Sequence, residues 1–380
     1  QRYSCQFYQI LLFFASVRKN LAINREKLDF FTTFVFRISI IREMFRALHN
    51  SLFRIVLFVA LCTTASCANL SREYVTIEGQ ALGTFVVIKY GGNASEQAVV
   101  DMVKKIDQEA KSSMSIFDKN SLLSRINRGE TDSLDRHIEF NIELAERFSD
   151  MSNGIYDISI KPLTEAWGFA DKRSVGKVPN VDSLLEFVGY RKISIQDGRL
   201  QRADSRMQID LNSIAKGYTV DLMAEELEAM GIENYMVNIG GEIRCRGVNS
   251  RGTEWSIGVE TPYDGNFSSD SFEKIIHLED CAVATSGNYR RFYLTDDGRK
   301  VAHTIDPRTG YSIISDLLSA TVVAPTCAEA DAAATMFMSI GDTAKVVALA
   351  EQCAEERGWR YYFIFADGDD YRVECSEEFS

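Results

Sequence analysis

In TCAEADAAATMFMS, residues 326–339, a run of small apolar residues is interrupted by Asp331 and Thr335, four positions apart. Thr326 with Glu329 three residues on forms a T-x-x-E capping box, so a helix is expected to start near Cys327 and to carry Asp331 in its second turn. Residues at that spacing share a helix face. A carboxylate and a hydroxyl presented together are hard oxygen ligands suited to Mg²⁺ or Ca²⁺, although the same two groups also make an ordinary hydrogen bond on a half-exposed face. HTIDPRTG, residues 303–310, adds an imidazole: Pro307 and the Thr-Gly pair force a turn, which puts His303 at a strand end facing what the turn encloses. A lone histidine is more often structural than catalytic, but beside a metal and a phosphate it becomes the candidate for proton transfer. In IDLNSIAKGYTVD, Asp210 is expected to end a strand and Asn212 to cap the next helix, with Lys216 in its first turns and Gly217 allowing close packing. Helix starts attract phosphate through unpaired amides, and lysine adds a mobile charge. The run matches neither GxGxxG nor GxxxxGK[ST], so its spacing alone is a weak signal.

The elements that must position these groups can be read from periodicity. YVTIEGQALGTFVVIKYGG (74–92) alternates about Gly79 and Gly83 as a hairpin and stops at Gly-Gly. Apolar residues at Val99, Met102, Val103 and Ile106 have helical spacing, and a second helix is expected through IEFNIELAERFSDMSNG, ended by Gly154. Residues 170–208 hold polar turns and the short strand KISI. From Met207 onward the order is strand, tight turn, helix closed by Gly231, then the strand YMVNIGG leading to IRCRG. SIGVE, AVATSG, RFYLT, SATVVA and YYFIFAD read as further short strands. The expectation is one α+β domain from about residue 70 to the end, with a largely antiparallel sheet and helices packed on it.

With 380 residues, 46% of them hydrophobic, the chain can bury a substantial core. Its 54 acidic residues outnumber its 42 basic ones, and because the segment before Cys67 is itself basic, the remainder is more acidic than the overall −12. That balance argues against a nucleic-acid partner. Residues 1–43 mix apolar runs with scattered charges; they are expected to be an upstream extension without a fold, the alternative being a weak membrane segment, although neither run approaches the ~20 residues a span requires. Residues 44–67 follow signal-peptide order: MFRALHNSLFR is basic, IVLFVALCTTA apolar, and small residues lead to Cys67. TASC resembles a lipoprotein cleavage box with Cys67 as the lipidated residue, although Thr64 stands where leucine is usual; ordinary secretory cleavage near Ala68 is the alternative. Past Cys67 five cysteines remain, without a CxxC pair or zinc spacing, so no disulfide framework or structural zinc is indicated, and whether any two join stays open.

LGTF (82–85), SMSIF (113–117), GIYDIS (154–159), DLNSIAKGYTVD (210–221), NIGGEIRCRG (238–247), ATSGNYRRFY (284–293), HTIDPRTG (303–310) and APTCAEADAAATMFMSIG (324–341) together resemble the ApbE family, flavin transferases that use FAD to attach FMN to proteins. Eight separated blocks in family order, spanning residues 74–345, carry the resemblance. It implies an ApbE-like, T-fold-like catalytic domain over 70–380 and a metal site of Asp331, Thr335 and a main-chain oxygen at Ser213. It implies flavin-nucleotide contacts at Leu82, Phe117, Ile155, Tyr156, Asp157, Asp210, Lys216 and Ile305, with His303 as the base or hydrogen-bonding orienter. Leu82 departs from the usual methionine at similar volume. Phe117 replaces what is often tyrosine, keeping a ring for stacking and losing a hydroxyl. Trp167 is read as core. The implied reaction is Mg²⁺- or Mn²⁺-dependent transfer of FMN from FAD to a Thr or Ser hydroxyl of an acceptor protein as a phosphoester, releasing AMP. Its implied partners are subunits of membrane or extracytoplasmic redox systems, met from a lipid anchor on the periplasmic face of a bacterial envelope membrane. The alternatives are FAD hydrolysis to FMN and AMP, and a non-catalytic flavin-binding lipoprotein.

Overall fold

A computed structural model of the chain describes residues 37, 73–169, 178–260, 272–287, 292–294, 298, 300–302, 304–368 and 370–379. Contacts divide the chain into residues 1–70 and 71–380. Of the first unit only Arg37, helical and exposed, is described, so the expectations about the extension, the leader and Cys67 fall outside the described residues.

The alternation in the first strands closes as expected into a hairpin, β1 (Tyr74–Ala81) and β2 (Thr84–Gly91), paired antiparallel throughout. Its two-residue turn, Leu82-Gly83, has positive φ at both positions, the mirror-image turn that matches the twist of a hairpin. Ser95 then caps α1 (Glu96–Met114), Ser121 caps α2 (Leu122–Asn127) and Asp135 caps α3 (Arg136–Met151). After a 3₁₀ turn come α4 (Lys161–Ala166) and α5 (Val181–Leu185); β3 (Ile193–Gln196) and β4 (Arg199–Arg202) form a small hairpin. The helix α5 is not apparent in the sequence, where only the strand in this region is legible.

The second half supplies α6 (Ala215–Ala229), β5 (Asn234–Ile239), β6 (Glu242–Arg246), β7 (Trp255–Glu260), β8 (Phe272–Leu278) and β9 (Cys281–Gly287). It continues with β10 (Phe292–Leu294), β11 (Lys300–Ala302), β12 (Leu317–Ala324), α7 (Cys327–Met338), α8 (Thr343–Arg357), β13 (Arg360–Asp367) and β14 (Asp370–Cys375). Eight strands make one sheet in the order β1-β2-β5-β6-β9-β12-β13-β14, and every pairing is antiparallel. The architecture is α+β. α6 packs on β5 and β6, and α7 on β9 and β12, so both helices lie on one face. On the other face Met236, Ile243, Cys245 and Val283 pack with Trp255, Val259 and Ile276 of the β7–β8 hairpin. β12, covered on both faces, is buried along almost its whole length.

The expected strand ending at Asp210 is absent. Met207, Ile209 and Leu211 are buried at alternate positions, as the pattern suggests, but no strand among the described residues pairs with them. The backbone of Ile209 is satisfied instead by the Asn127 side-chain amide, which donates to its carbonyl and accepts from its N–H, each at 2.8 Å. Nor does Asn212 cap the next helix. The cap position is Ile214, and Asp210 Oδ1 accepts from Asn212 N at 2.8 Å in a turn of its own.

Candidate active site

Two helix starts meet at the centre of the helical layer. Thr326 caps α7, its hydroxyl accepting from Glu329 N at 3.3 Å. Asp221, in the second turn of α6, accepts from Cys327 N and Ala328 N at 2.9 and 2.8 Å, and from Arg244. A buried carboxylate thus neutralises the amino end of α7 and ties it to α6. The approach is close: a Cβ at Gly217 would stand 2.2 Å from the Cys327 carbonyl oxygen, so only glycine lets these backbones meet.

Asp331 sits inside this junction, 3% exposed, its Oδ2 accepting from Gly217 N at 3.0 Å. Burial pushes its pKa up to about 7; Lys216 pulls it down and Glu242 raises it further. Lys216 is ion-paired with Glu242, which the Gly240-Gly241 turn sets at the first position of β6. Burial disfavours the ammonium, yet the facing Asp331 and Glu242 more than offset this and hold its pKa above the usual lysine value. The second carboxylate oxygen of Glu242 is buried and has no hydrogen-bond partner among the described residues. Two carboxylates therefore share one ammonium, and with both ionised the cluster carries one negative charge in excess. Thr335, one turn on from Asp331, does not bond to it; its hydroxyl is 3.2 Å from that of Ser286 on β9.

Tyr156 lies within electrostatic reach of Asp331, its hydroxyl 2.8 Å from that of Ser213. Burial first, then the charges of Asp331, Asp210 and Asp157, drive its pKa far up, so it acts only as a neutral donor or acceptor. Asp210, also raised by burial, is half-buried nearby. Ile155 precedes Tyr156, and its N–H turns inward to Ser152 O. The Asp157 carboxylate is engaged by the backbone N–H groups of Ser159 and Tyr190, both at 2.7 Å. It borders a cleft of about 490 Å³ lined also by Gly154, Tyr190, Lys192, Pro307 and Arg308. Tyr156, Ser213, Asp210, Lys216 and Asp331 are thus brought together, with Thr335 on the same helix face as Asp331.

The remaining expected residues stand apart from that knot. Leu82 occupies the hairpin turn at φ 51°, its N–H held by Asp107 Oδ1 at 2.7 Å. Phe117 is 73% exposed on a loop whose backbone is pinned by the Ser115 hydroxyl, which accepts from Phe117 N and Asp118 N at 3.1 Å each. Ile305 is buried with Leu163, Trp167 and Val181, bridged to Ser312. Trp167 is core, as expected, and its indole N–H anchors the loop through Gly310 O at 2.8 Å. His303 lies outside the described residues, but both flanks are fixed: Ala302 N donates to the Ser312 hydroxyl at 2.8 Å and Ile313 N to Thr304 O at 3.0 Å. Among the described residues no group of three or more His, Cys, Asp and Glu is placed to hold a metal. A cation here would rest on Asp331 with hydroxyl and main-chain oxygens.

A family model for the ApbE family matches residues 82–359. The chain belongs to the ApbE family. It is 31% identical over 341 residues to the FAD:protein FMN transferase of Haemophilus influenzae, covering 85% of this chain and 96% of the relative. With the FAD:protein FMN transferase of Vibrio cholerae it shares 34% over 297 residues, 76% of this chain and 87% of that one. Its fold matches the flavin transferase ApbE from Vibrio cholerae with a TM-score of 0.71 at 31% identity, over 81% of this chain and 98% of that structure. Apo flavinyl transferase ApbE of Pseudomonas stutzeri matches with a TM-score of 0.72 at 27% identity, over 81% and 96%. The sequence alone does not single out Glu242 or Asp221. Glu242 stands in NIGGE directly after a Gly-Gly turn, a signal that an acid is being aimed, though not at what.

Proposed function

We propose that the chain is an FAD:protein FMN transferase, moving FMN from FAD to a threonine or serine hydroxyl of an acceptor protein and releasing AMP. The observation that carries this reading is the buried Asp331–Lys216–Glu242 cluster at the start of α6, facing Tyr156 and Ser213. A helix start and a lysine suit a pyrophosphate, and a cluster with surplus negative charge and hard oxygens suits a divalent cation. Asp331, Thr335 and the main chain at Ser213 would hold Mg²⁺ or Mn²⁺, which when bound offsets charge on the pyrophosphate oxygens.

The chain's own residues then have defined tasks. Lys216, held charged by Asp331 and Glu242, binds the diphosphate; Tyr156 and Ser213 orient it by hydrogen bonds, with Asp210 alongside. Leu82, Ile155, Asp157 and Ile305 line the nucleotide, and Phe117 offers a ring face to the flavin. His303 takes the proton from the acceptor hydroxyl as its oxygen bonds to the FMN phosphorus and the bond to AMP oxygen breaks. The leader-like order of residues 44–67 supports lipid anchoring at Cys67, on the periplasmic face of a bacterial envelope membrane, beside acceptor subunits of membrane or extracytoplasmic redox systems. The test is to incubate protein, FAD and Mg²⁺ with an acceptor domain and read flavin fluorescence on the acceptor band. Wild type labels it, and His303→Ala and Asp331→Ala do not. Free FMN and AMP with no labelled acceptor would assign hydrolysis instead; no turnover in any arm would leave only binding.

A further inference from the structure

The junction between the two halves of the large sheet is narrow. β6 and β9 pair over three positions, Ile243↔Val283, Arg244↔Ala282 and Cys245↔Cys281, the shortest ladder of that sheet among the described residues. Its last rung places two cysteines directly opposite each other. Opposed residues in an antiparallel ladder have Cα atoms ~4.5–5.5 Å apart and side chains on one face, within the ~4.4–6.8 Å range a disulfide spans. Both face the layer under the β7–β8 hairpin: Cys245 is fully buried there and Cys281 half-buried at its edge. Cys245 Sγ lies 3.6 Å from the Cys281 carbonyl oxygen, and Arg360 Nη2 3.7 Å from Cys281 Sγ.

We propose that Cys245 and Cys281 form a thiol-modification site, a cross-strand dithiol that closes to an intramolecular disulfide by exchange with a small-molecule disulfide. Cys281 is the attacking sulfur, because it reaches solvent and because the adjacent Cys245 thiol and the Arg360 guanidinium both favour its thiolate. Its thiolate breaks the S–S bond of the small disulfide, forms a mixed disulfide and expels one thiolate. Cys245 then gives its proton to that leaving thiolate, attacks the Cys281 sulfur and expels the second, which takes up the proton Cys281 lost. Two protein thiols are oxidised and one disulfide is reduced to two thiols. The other described cysteines have no such partner: Cys327 is buried in the helical layer, Cys353 lies beside Met151, and Cys375 is separated from Cys281 by β12 and β13. On the opposite face the same two strands carry Glu242, the partner of Lys216, and Ser286, the partner of Thr335. The bond would clamp the two walls of the site from behind, independently of what the site transfers.

The full chain is equilibrated with oxidised and reduced glutathione, free thiols are alkylated, and the protein is digested without reduction and mapped by mass spectrometry. A Cys245–Cys281 cross-link 2 Da lighter than the dithiol is expected, absent from Cys281→Ser and reversed by dithiothreitol. The oxidised wild type should unfold on the order of 5 °C higher than the reduced form, a comparison that needs no variant. Alkylation of both thiols in oxidised glutathione, a stable glutathione adduct on Cys281 alone, or a cross-link from Cys281 to another cysteine would each overturn the assignment.

Discussion

The junction of α6 and α7 and the exposed rim at the loop that carries Phe117 are built by opposite rules. At the junction the side chains are buried and paired, and backbone touches backbone at Gly217. At the rim the backbone is pinned while the ring is left out: the Ser115 hydroxyl fixes the loop, yet Phe117 is 73% exposed. Groups meant for a dianionic diphosphate must be set beforehand, because reorienting buried dipoles during reaction is costly. A ring meant to stack needs only a face, and leaving it open lets a planar ligand supply the missing contact.

The sharpest way to break this contrast is to remove the junction's centre. Asp331→Ala should lower acceptor flavinylation by about 10³-fold, since it deletes the proposed cation ligand and leaves Lys216 with Glu242 alone. Activity within tenfold of wild type, at equal folding by circular dichroism, would refute the assignment of this cluster. Gly217→Ala tests the same region through backbone alone. Its methyl would meet the Cys327 carbonyl, so α6 and α7 must part. Overpacking of this kind costs about 1–3 kcal/mol, and a lower thermal midpoint should accompany weaker FAD binding. A variant of unchanged midpoint would mean that the two helices are less tightly joined than their geometry implies.

At the rim the expected loss is smaller and of another kind. Phe117→Ala should raise KM for FAD about tenfold, the scale of one aromatic stacking contact, with kcat and the melting midpoint nearly unchanged. A fall in kcat at constant KM would place the ring in the chemistry and erase the distinction between the two regions.

Legibility in the sequence follows a related division. The β1–β2 hairpin and α7 were readable because local chemistry determines them: alternation plus a Leu-Gly turn, and a T-x-x-E cap ahead of small residues. Asp331 stood out because an acid among alanines is anomalous in a buried helix. Met207–Asp210 misled for a physical reason: period-two burial reports which side chains face the core, not which groups satisfy the backbone, and here Asn127 does so. Glu242 was hidden because its partner, Lys216, comes from another element, and the Cys245–Cys281 opposition because cross-sheet register between distant strands leaves no local trace.

The subtlest distinction between junction and rim is electrostatic. Burial, helped by Glu242 and opposed by Lys216, raises the folded pKa of Asp331 to about 7, above the ordinary aspartate value near ~3.9. The folded chain therefore holds this proton more tightly than the unfolded chain does. The resulting stability is full below the unfolded pKa and is lost as pH rises through the folded one, so the window runs from about 4 to about 7 and its upper part is reached near neutrality. Without divalent cation, raising the pH from about 6 to about 8 should lower the wild-type melting midpoint by roughly 2–4 °C more than that of Asp331→Asn, which has no proton to lose. Saturating Mg²⁺ should abolish the difference by favouring the carboxylate. Parallel curves for the two proteins in metal-free buffer would show that Asp331 is already ionised in the fold, and the junction would then be no more strained than the rim.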